Sequence, residues 1–241
     1  MYNNYKITTD THVHTVMSGH AHSTVLEYLS EAKKKGFNYL CITDHTGILN
    51  SATDPLAYFL CLNSTLPEEY DGIKIVKGCE VNIISENGDL DLEERVLNTL
   101  RIVIASLHRY LIPPESSEKT TEIWLKIAEN PCVNVIGHFA EPCWDCDYEK
   151  VIGKFKECGK VVEINAGSIR KGEDYAKNWE KAVSACKEFE MPVVVSSDCH
   201  FAPFLGRVDE SFDLLSRVNY PKELILNIRG NEEKFENKFI K

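Results

Sequence analysis

Eight histidines stand along this chain, at positions 12, 14, 20, 22, 45, 108, 138 and 200. Glu80 and Asp198 join them near the same kinds of chain feature. Imidazole with carboxylate is a donor set that suits zinc, manganese or iron. His12 and His14 are spaced i, i+2, which in an extended strand turns both rings to one face, where both can reach one ion. Asp198 and His200 repeat that spacing near the other end. A single buried histidine is ordinarily a hydrogen-bonded core residue. Seven of them at strand ends or in the following loops are a different matter. Imidazoles clustered without a cation leave polar groups to satisfy and repel one another whenever they protonate. A divalent metal removes both difficulties. Asp10 and Thr11, just before the first pair, are placed to orient its rings.

What must position these residues is an alternation of short β-branched runs with longer amphipathic stretches. Strands are predicted at residues 6–10, 38–42, 74–76, 101–105, 133–136, 161–164 and 193–195. Helices are predicted at 23–35, 93–100, 118–130, 148–158 and 175–189, with stop signals at Gly36 and Gly159 and with Pro131 and Pro192 just beyond two of them. A β–α order repeated about seven times implies a parallel sheet, open or closed into a barrel. His12 and His14 follow the first strand, His45 the second, Glu80 the third, His108 the fourth, His138 the fifth, and Asp198 and His200 the last. In a parallel barrel all those strand ends open on one face, so distant residues converge there. The longest irregular stretches are 46–55 and 85–90. No linker, repeat or low-complexity tract divides the chain, so 1–241 is read as one α/β domain.

The net charge of −10 argues against a nucleic-acid scaffold or an anionic membrane as partner. It leaves room for an anionic substrate, because metal ions reverse the local field in a cleft. No run is apolar enough to span a bilayer, and the opening residues carry no secretory signal. Nine scattered cysteines then suggest reduced thiols in a cytoplasmic protein. Cys143 and Cys146 form a lone CxxC, read as two ordinary loop thiols because no second CxxC completes a zinc site. Cys79 and Cys199 flank ligand candidates, but strand alternation turns them away.

Together, Asp10-Thr11-His12-Val13-His14, Ser18-Gly19-His20, Thr43-Asp44-His45, Gly78-Cys79-Glu80, Ser106-Leu107-His108-Arg109, Gly137-His138, Glu163-Ile164-Asn165 and Ser197-Asp198-Cys199-His200 resemble the pattern of the PHP (polymerase and histidinol phosphatase) family. The likeness runs from Asp10 to Arg207 and is nearest the stand-alone trinuclear zinc phosphatases. It implies a distorted seven-stranded, TIM-like (β/α)7 barrel with its metal site at the C-terminal strand ends. It also implies three divalent metals, zinc first and manganese or iron next. His12, His14, Glu80 and Asp198 would hold one. Glu80, bridging, would hold the second with His108 and His138, and His20, His45 and His200 would hold the third. His22 has no counterpart in the pattern and is read as an exposed residue opening the first helix.

Paired metals suit in-line displacement at phosphorus by a metal-bridging hydroxide, with no serine or cysteine nucleophile. The expected activity is hydrolysis of small phosphate monoesters, with Glu80, Asp198, Arg109 and Arg170 in the catalytic centre. Arg109, Arg170 and Arg207 are candidates for phosphate contact, because guanidinium is suited to bidentate binding of phosphate. Each could equally be a solvated rim charge. A phosphodiesterase or exonuclease of the same family is the rival enzyme. An amidohydrolase shares the HxH and late aspartate but usually needs fewer metals. A non-catalytic metal-binding relative would be marked by lost ligands, and none is lost here. The sequence names neither the substrate nor the oligomeric state, a homo-oligomer included. It also leaves open whether Phe204 and Tyr58 with their apolar neighbours form an interface or a pocket wall.

Overall fold

The computed structural model describes residues 5–240. Its strands are β1 (Tyr39–Ile42), β2 (Glu69–Tyr70), β3 (Ile73–Asn82), β4 (Ile102–Ser106), β5 (Val135–Ile136), β6 (Val161–Asn165) and β7 (Val193–Ser196). β1 and β3 to β7 pair in parallel, in chain order, as one curled sheet, while the short β2 runs antiparallel to the start of β3. β3 changes partner along its length. Residues 74–77 pair with β1, and residues 78–82 pair with β4.

The helices α1 (Val25–Lys35), α2 (Pro55–Thr65), α3 (Glu94–Leu97), α4 (Ser117–Glu129), α5 (Tyr148–Glu157), α6 (Ala166–Ile169), α7 (Glu173–Glu188), α8 (Asp209–Arg217) and α9 (Glu232–Phe239) lie between and after the strands. α1 starts on a reciprocal capping box between Thr24 and Glu27 and stops at Gly36, in the left-handed conformation at φ 69°. α2 was not expected from the sequence. It begins at Asp54, whose side chain caps it, with Pro55 in the first turn, but its apolar residues form no single stripe. α8 and α9 were also unforeseen.

The parallel strands bury both faces, as a parallel sheet covered on two sides must. Leu40, Ile42, Val103, Ala105, Val162, Ile164 and Val195 pack outward among the helices. Tyr39, Cys41, Val76, Ile102, Ile104, Val135, Val161 and Val194 pack together on the other face. Phe235 and Phe239 of α9 join this second group, and Tyr39 Oη donates to Glu236 Oε1 at 2.9 Å. Further along that inner face the side chains turn polar: Ile104 gives way to Ser106, Val161 to Glu163 and Asn165, and Val194 to Ser196.

The predicted first strand, residues 6–10, forms no ladder. It makes one isolated antiparallel bridge, Ile7 to Ile228, while Val13 bridges Cys199 in parallel. Side chains take over from backbone pairing here. Asn227 Nδ2 donates to both the Thr9 and the Val195 carbonyls, and Val13 N donates to Thr43 Oγ1. The segment still touches both sheet edges: Asn38 N donates to Thr8 O, and His14 N donates to Cys199 O. No helix among the described residues is long and apolar enough to cross a membrane.

Candidate metal centre

Glu80 stands in the second half of β3 with 1% of its surface exposed. Its two oxygens face different histidines. Oε2 lies 2.6 Å from His45 Nδ1, 3.3 Å from His12 Nε2 and 3.5 Å from His14 Nε2. Oε1 lies 2.9 Å from His138 Nε2 and 3.4 Å from His108 Nε2. Asp198 Oδ1 comes within 3.2 Å of His14 Nε2 and 3.7 Å of His12 Nε2. His20 Nε2 meets His200 Nε2 at 2.9 Å, and the His20 ring centroid lies 5.1 Å from that of His45. The ligand candidates named from the sequence therefore meet in one place.

Around Glu80 Oε2, closeness is not hydrogen bonding. His12 Nε2, His14 Nε2, His45 Nδ1 and Glu80 Oε2 are buried without a hydrogen-bond partner, although the carboxylate oxygen is close to all three rings. Buried polar atoms left in this way are costly, and four aimed at one point call for a cation. Three overlapping triads bring their donor atoms within 4.8 Å of one another: His12 with His14 and Glu80, His45 with Glu80 and His108, and His14 with His45 and His200. The donor set fits divalent metal in its chemistry as well as its closeness.

Hydrogen bonds on the far side of the rings set the tautomers. His12 Nδ1 donates to the Glu163 carboxylate at 2.6 Å. Ser18 Oγ gives its proton to Asp44, so His14 Nδ1 must be the donor in its 3.0 Å contact with Ser18. Asn82 Nδ2 is committed to Asp91 and to the Thr46 carbonyl, which leaves Asn82 Oδ1 to accept from His108 Nδ1 at 2.7 Å. His200 Nδ1 donates to the Asp198 carbonyl at 2.9 Å. In all four rings Nε2 keeps its lone pair for an ion.

These supports differ from the expected ones. Asp10 does not reach the His12 ring. It accepts from the His12, Ser197 and Gly206 backbone amides and from Ser197 Oγ, tying the first ligand segment to the last. Thr11 Oγ1 has no partner. Glu163, Asn82, Ser18 and Asp44 do the orienting instead. Glu163 carried a readable signal, as a carboxylate inside an otherwise uncharged strand buried along its whole length.

Local backbone explains how two ligands arrive. β7 ends at Ser196, and Asp198 takes a left-handed φ of 56°, unusual for a residue other than glycine. A turn, not strand alternation, aims Asp198 and His200 at the site. Gly137, before His138, lets β5 approach β4; a Cβ there would sit 2.3 Å from Ser106 Oγ and 2.7 Å from Ile104 Cγ2. Cys79 and Cys199 pack into the core away from the donors, and all nine cysteines are free.

The cluster polarises its members. Burial pushes the Glu80 carboxyl up, but the His45, His12 and His108 rings more than reverse this and hold it well below the ordinary range. Asp198 is likewise held well below, with His12 and His14 overcoming burial. Burial and the neighbouring His45 keep His14 well below its usual value. For His138 burial opposes the charged ring, but its hydrogen bond to Glu80 wins and lifts it to about 9. Without metal, protons would partly play the cation's role.

Beside the donors lies a cavity of about 490 Å³, lined by His20, Asp198 and His200 together with Arg170, Phe204 and Arg207. His22 also lines it; it is exposed and precedes α1. Arg170 donates from Nε and Nη2 to both oxygens of Glu210, at 2.7 and 2.6 Å, and from Nη2 to the Arg207 carbonyl. Arg109 is exposed, and its Nε donates to Cys143 Sγ at 3.3 Å. Of the apolar runs left open by the sequence, Phe59 is buried in the core, and Tyr58 Oη donates to Asp44. Phe204 is pocket wall.

Residues 10–186 match the PHP domain family, and residues 177–229 match the PHP-associated family. The chain belongs to the PHP family. A probable phosphatase of Caldanaerobacter subterraneus is 40% identical over 226 residues, which are 92% of this chain and 87% of that protein. A probable phosphatase of Thermoanaerobacter pseudethanolicus is also 40% identical, over 92% of this chain and 91% of its own. Among solved structures, histidinol phosphate phosphatase from Lactococcus lactis, complexed with zinc, L-histidinol and phosphate, superposes with a TM-score of 0.61 at 15% identity. That match covers 90% of this chain and 95% of the other. A probable 2-pyrone-4,6-dicarboxylic acid hydrolase from Acinetobacter baumannii reaches 0.54 at 13% identity, over 93% and 97% of the two chains. At such identities the likeness is one of fold alone.

Proposed function

We propose that this PHP protein is a metal-dependent phosphomonoesterase acting on small phosphorylated molecules. The chain is a phosphoric ester hydrolase, in keeping with relatives named as phosphatases across nearly their whole length. The observation that carries the finer reading is the set of orphaned buried atoms around Glu80. We assign His12, His14, Glu80 and Asp198 to one ion, Glu80, His108 and His138 to a second, and His20, His45 and His200 to a third. Zinc is the first choice, as in the Lactococcus lactis neighbour. Ions bound among these donors would polarise phosphoryl oxygens and bring the pKa of coordinated water toward neutrality.

The chain's own residues do the rest. Glu80 spans two donor groups with its separate oxygens, which favours ions set close together. Glu163, Ser18, Asn82 and the Asp198 carbonyl keep four rings in the metal-accepting tautomer. Arg170 and Arg207 line the same cavity as His20 and His200, where a phosphoryl group would need neutralising. Arg109, one residue past His108, is the third candidate, and its tie to Cys143 occupies Nε alone. We read residues 1–241 as one domain in which segment 7–14 stands as the seventh stave, and the free cysteines suit a reducing, cytoplasmic setting.

The test is the rate of nitrophenol release from a phosphate monoester and its matching diester, using metal-replete protein with His138→Ala as control. A monoester rate well above the diester rate, lost in the variant, supports the proposal. A dominant diester rate would replace it with a phosphodiesterase.

A further inference from the structure

The metal donors account for part of the lining of the 490 Å³ cavity and leave the rest unexplained. Part of that remaining wall is aromatic. Phe201 and Phe204 stand one and four residues after His200, yet they are 43% and 54% exposed. Between and after them Ala202 and Leu205 are buried, so the turn is pinned to the core while its two rings are held out. The rings meet edge to face, 5.6 Å apart at 79°. The Arg207 guanidinium carbon lies 5.8 Å from the centre of the Phe204 ring.

The cationic side of the wall is equally ordered. Glu210 grips Arg170 through Nε and Nη2, and none of the described hydrogen bonds uses Nη1. Because Arg170 also holds the Arg207 carbonyl, the arginine that faces the Phe204 ring is tied to the one fixed by Glu210. On the phosphatase reading, the occupant presents its anionic group to the metal donors, Arg170 and Arg207, and an apolar body suits the two exposed rings. A flat ring would find an offset or edge-on aromatic partner.

Resting on the phosphatase reading above, we propose that this site selects phosphate monoesters whose carbon skeleton carries an aromatic ring, with Phe204 as the principal specificity residue and Phe201 supporting it. The shape of the wall limits the body, while the metal side handles the phosphoryl group common to all such esters.

The experiment compares kcat/KM for benzyl, 2-phenylethyl and 3-phenylpropyl phosphate with that for butyl phosphate, using metal-replete wild type, Phe204→Ala, Phe204→Trp and the Phe201→Ala/Phe204→Ala pair. The expected result is a preference of about tenfold for at least one arylalkyl ester, the equivalent of ~1.4 kcal/mol. The ratio should fall toward one in Phe204→Ala and be kept in Phe204→Trp, with the change carried by KM. No preference in wild type, or a preference surviving the double substitution, overturns the proposal. A drop in sedimenting mass on Phe204→Ala with the ratio unchanged also overturns it, and assigns the rings to a second copy of the chain. If no monoester is turned over, the phosphatase reading fails by itself. The pocket is then judged by calorimetric affinity for 2-phenylethylphosphonate against butylphosphonate, where equal affinities reject the aromatic site and a gap closed by Phe204→Ala supports it.

Discussion

The Glu163 carboxylate sits 2.6 Å from His12 Nδ1 while its other oxygen accepts from the His138 amide at 2.8 Å. One buried side chain thus orients the first ligand ring and anchors the backbone of another ligand. Glu163→Gln loses the charge that fixes the His12 tautomer, and metal affinity should fall about 10–100-fold. Zinc titration against a chromophoric chelator measures this directly; wild-type affinity in the variant would refute the role.

Removing metal should destabilise the fold as well as stop turnover. Ions that bind only the folded chain add stability by mass action, about 2.7 kcal/mol at a hundredfold excess over Kd. A chelator should therefore lower Tm, and returning zinc should restore both Tm and activity. An unchanged Tm would mean that the orphaned atoms around Glu80 do not hold metal.

Gly137→Ala should destabilise the protein although it adds one methyl group. A Cβ at 2.3 Å from Ser106 Oγ forces β4 and β5 apart just below His138. Overpacking of this kind costs about 1–3 kcal/mol. Urea unfolding of the two proteins side by side checks the magnitude.

The Arg170–Glu210 pair gives separable effects on binding and on stability. Arg170→Ala should raise KM for a monoester, and unchanged kinetics would remove it from the site. Arg170 draws the Glu210 carboxyl below its ordinary range, against a smaller push from burial. A carboxylate with a depressed folded pKa stabilises above its unfolded value, about 4.3, and loses that contribution as pH falls through the folded value. The pair is about a third exposed, so solvent screening limits it to at most ~1 kcal/mol. Wild type and Glu210→Gln should therefore differ slightly at neutral pH and converge in acid, as read by urea midpoints across the pH series.

Phe235→Ala tests the inner face at the end away from the metals. Fully buried among Tyr39, Val76 and their neighbours, this ring should cost about 3–5 kcal/mol on truncation while leaving the monoester KM unchanged.

Much of this was legible in the sequence because period and position carry it. His12 and His14 share a face by spacing, and strands ending just before His45, His108 and His138 bring those rings to one side. The strand predicted over 6–10 was not legible, because Asn227, more than two hundred residues away, supplies hydrogen bonds that a ladder would have made. α2 escaped notice because its apolar residues surround the helix. Which rings Glu163 and Asn82 orient is not legible in the sequence, because that depends on which strand lies beside each of them. The arginines were visible as charges, but their partners, Glu210 for one and Cys143 for another, were not.

The separation of the donors along the chain has a kinetic consequence. His20 and His200 meet although they stand 180 positions apart in the chain, and segment 7–14 is held by Asn227 and Cys199 from the far end. No early fragment of the polypeptide contains a complete pocket. Contacts so distant in sequence form slowly, after local structure. Metal capture by all of these donors would then be a late event, a certificate that both ends of the chain have found each other. A stalled or truncated molecule would carry loose histidines and not a functioning centre.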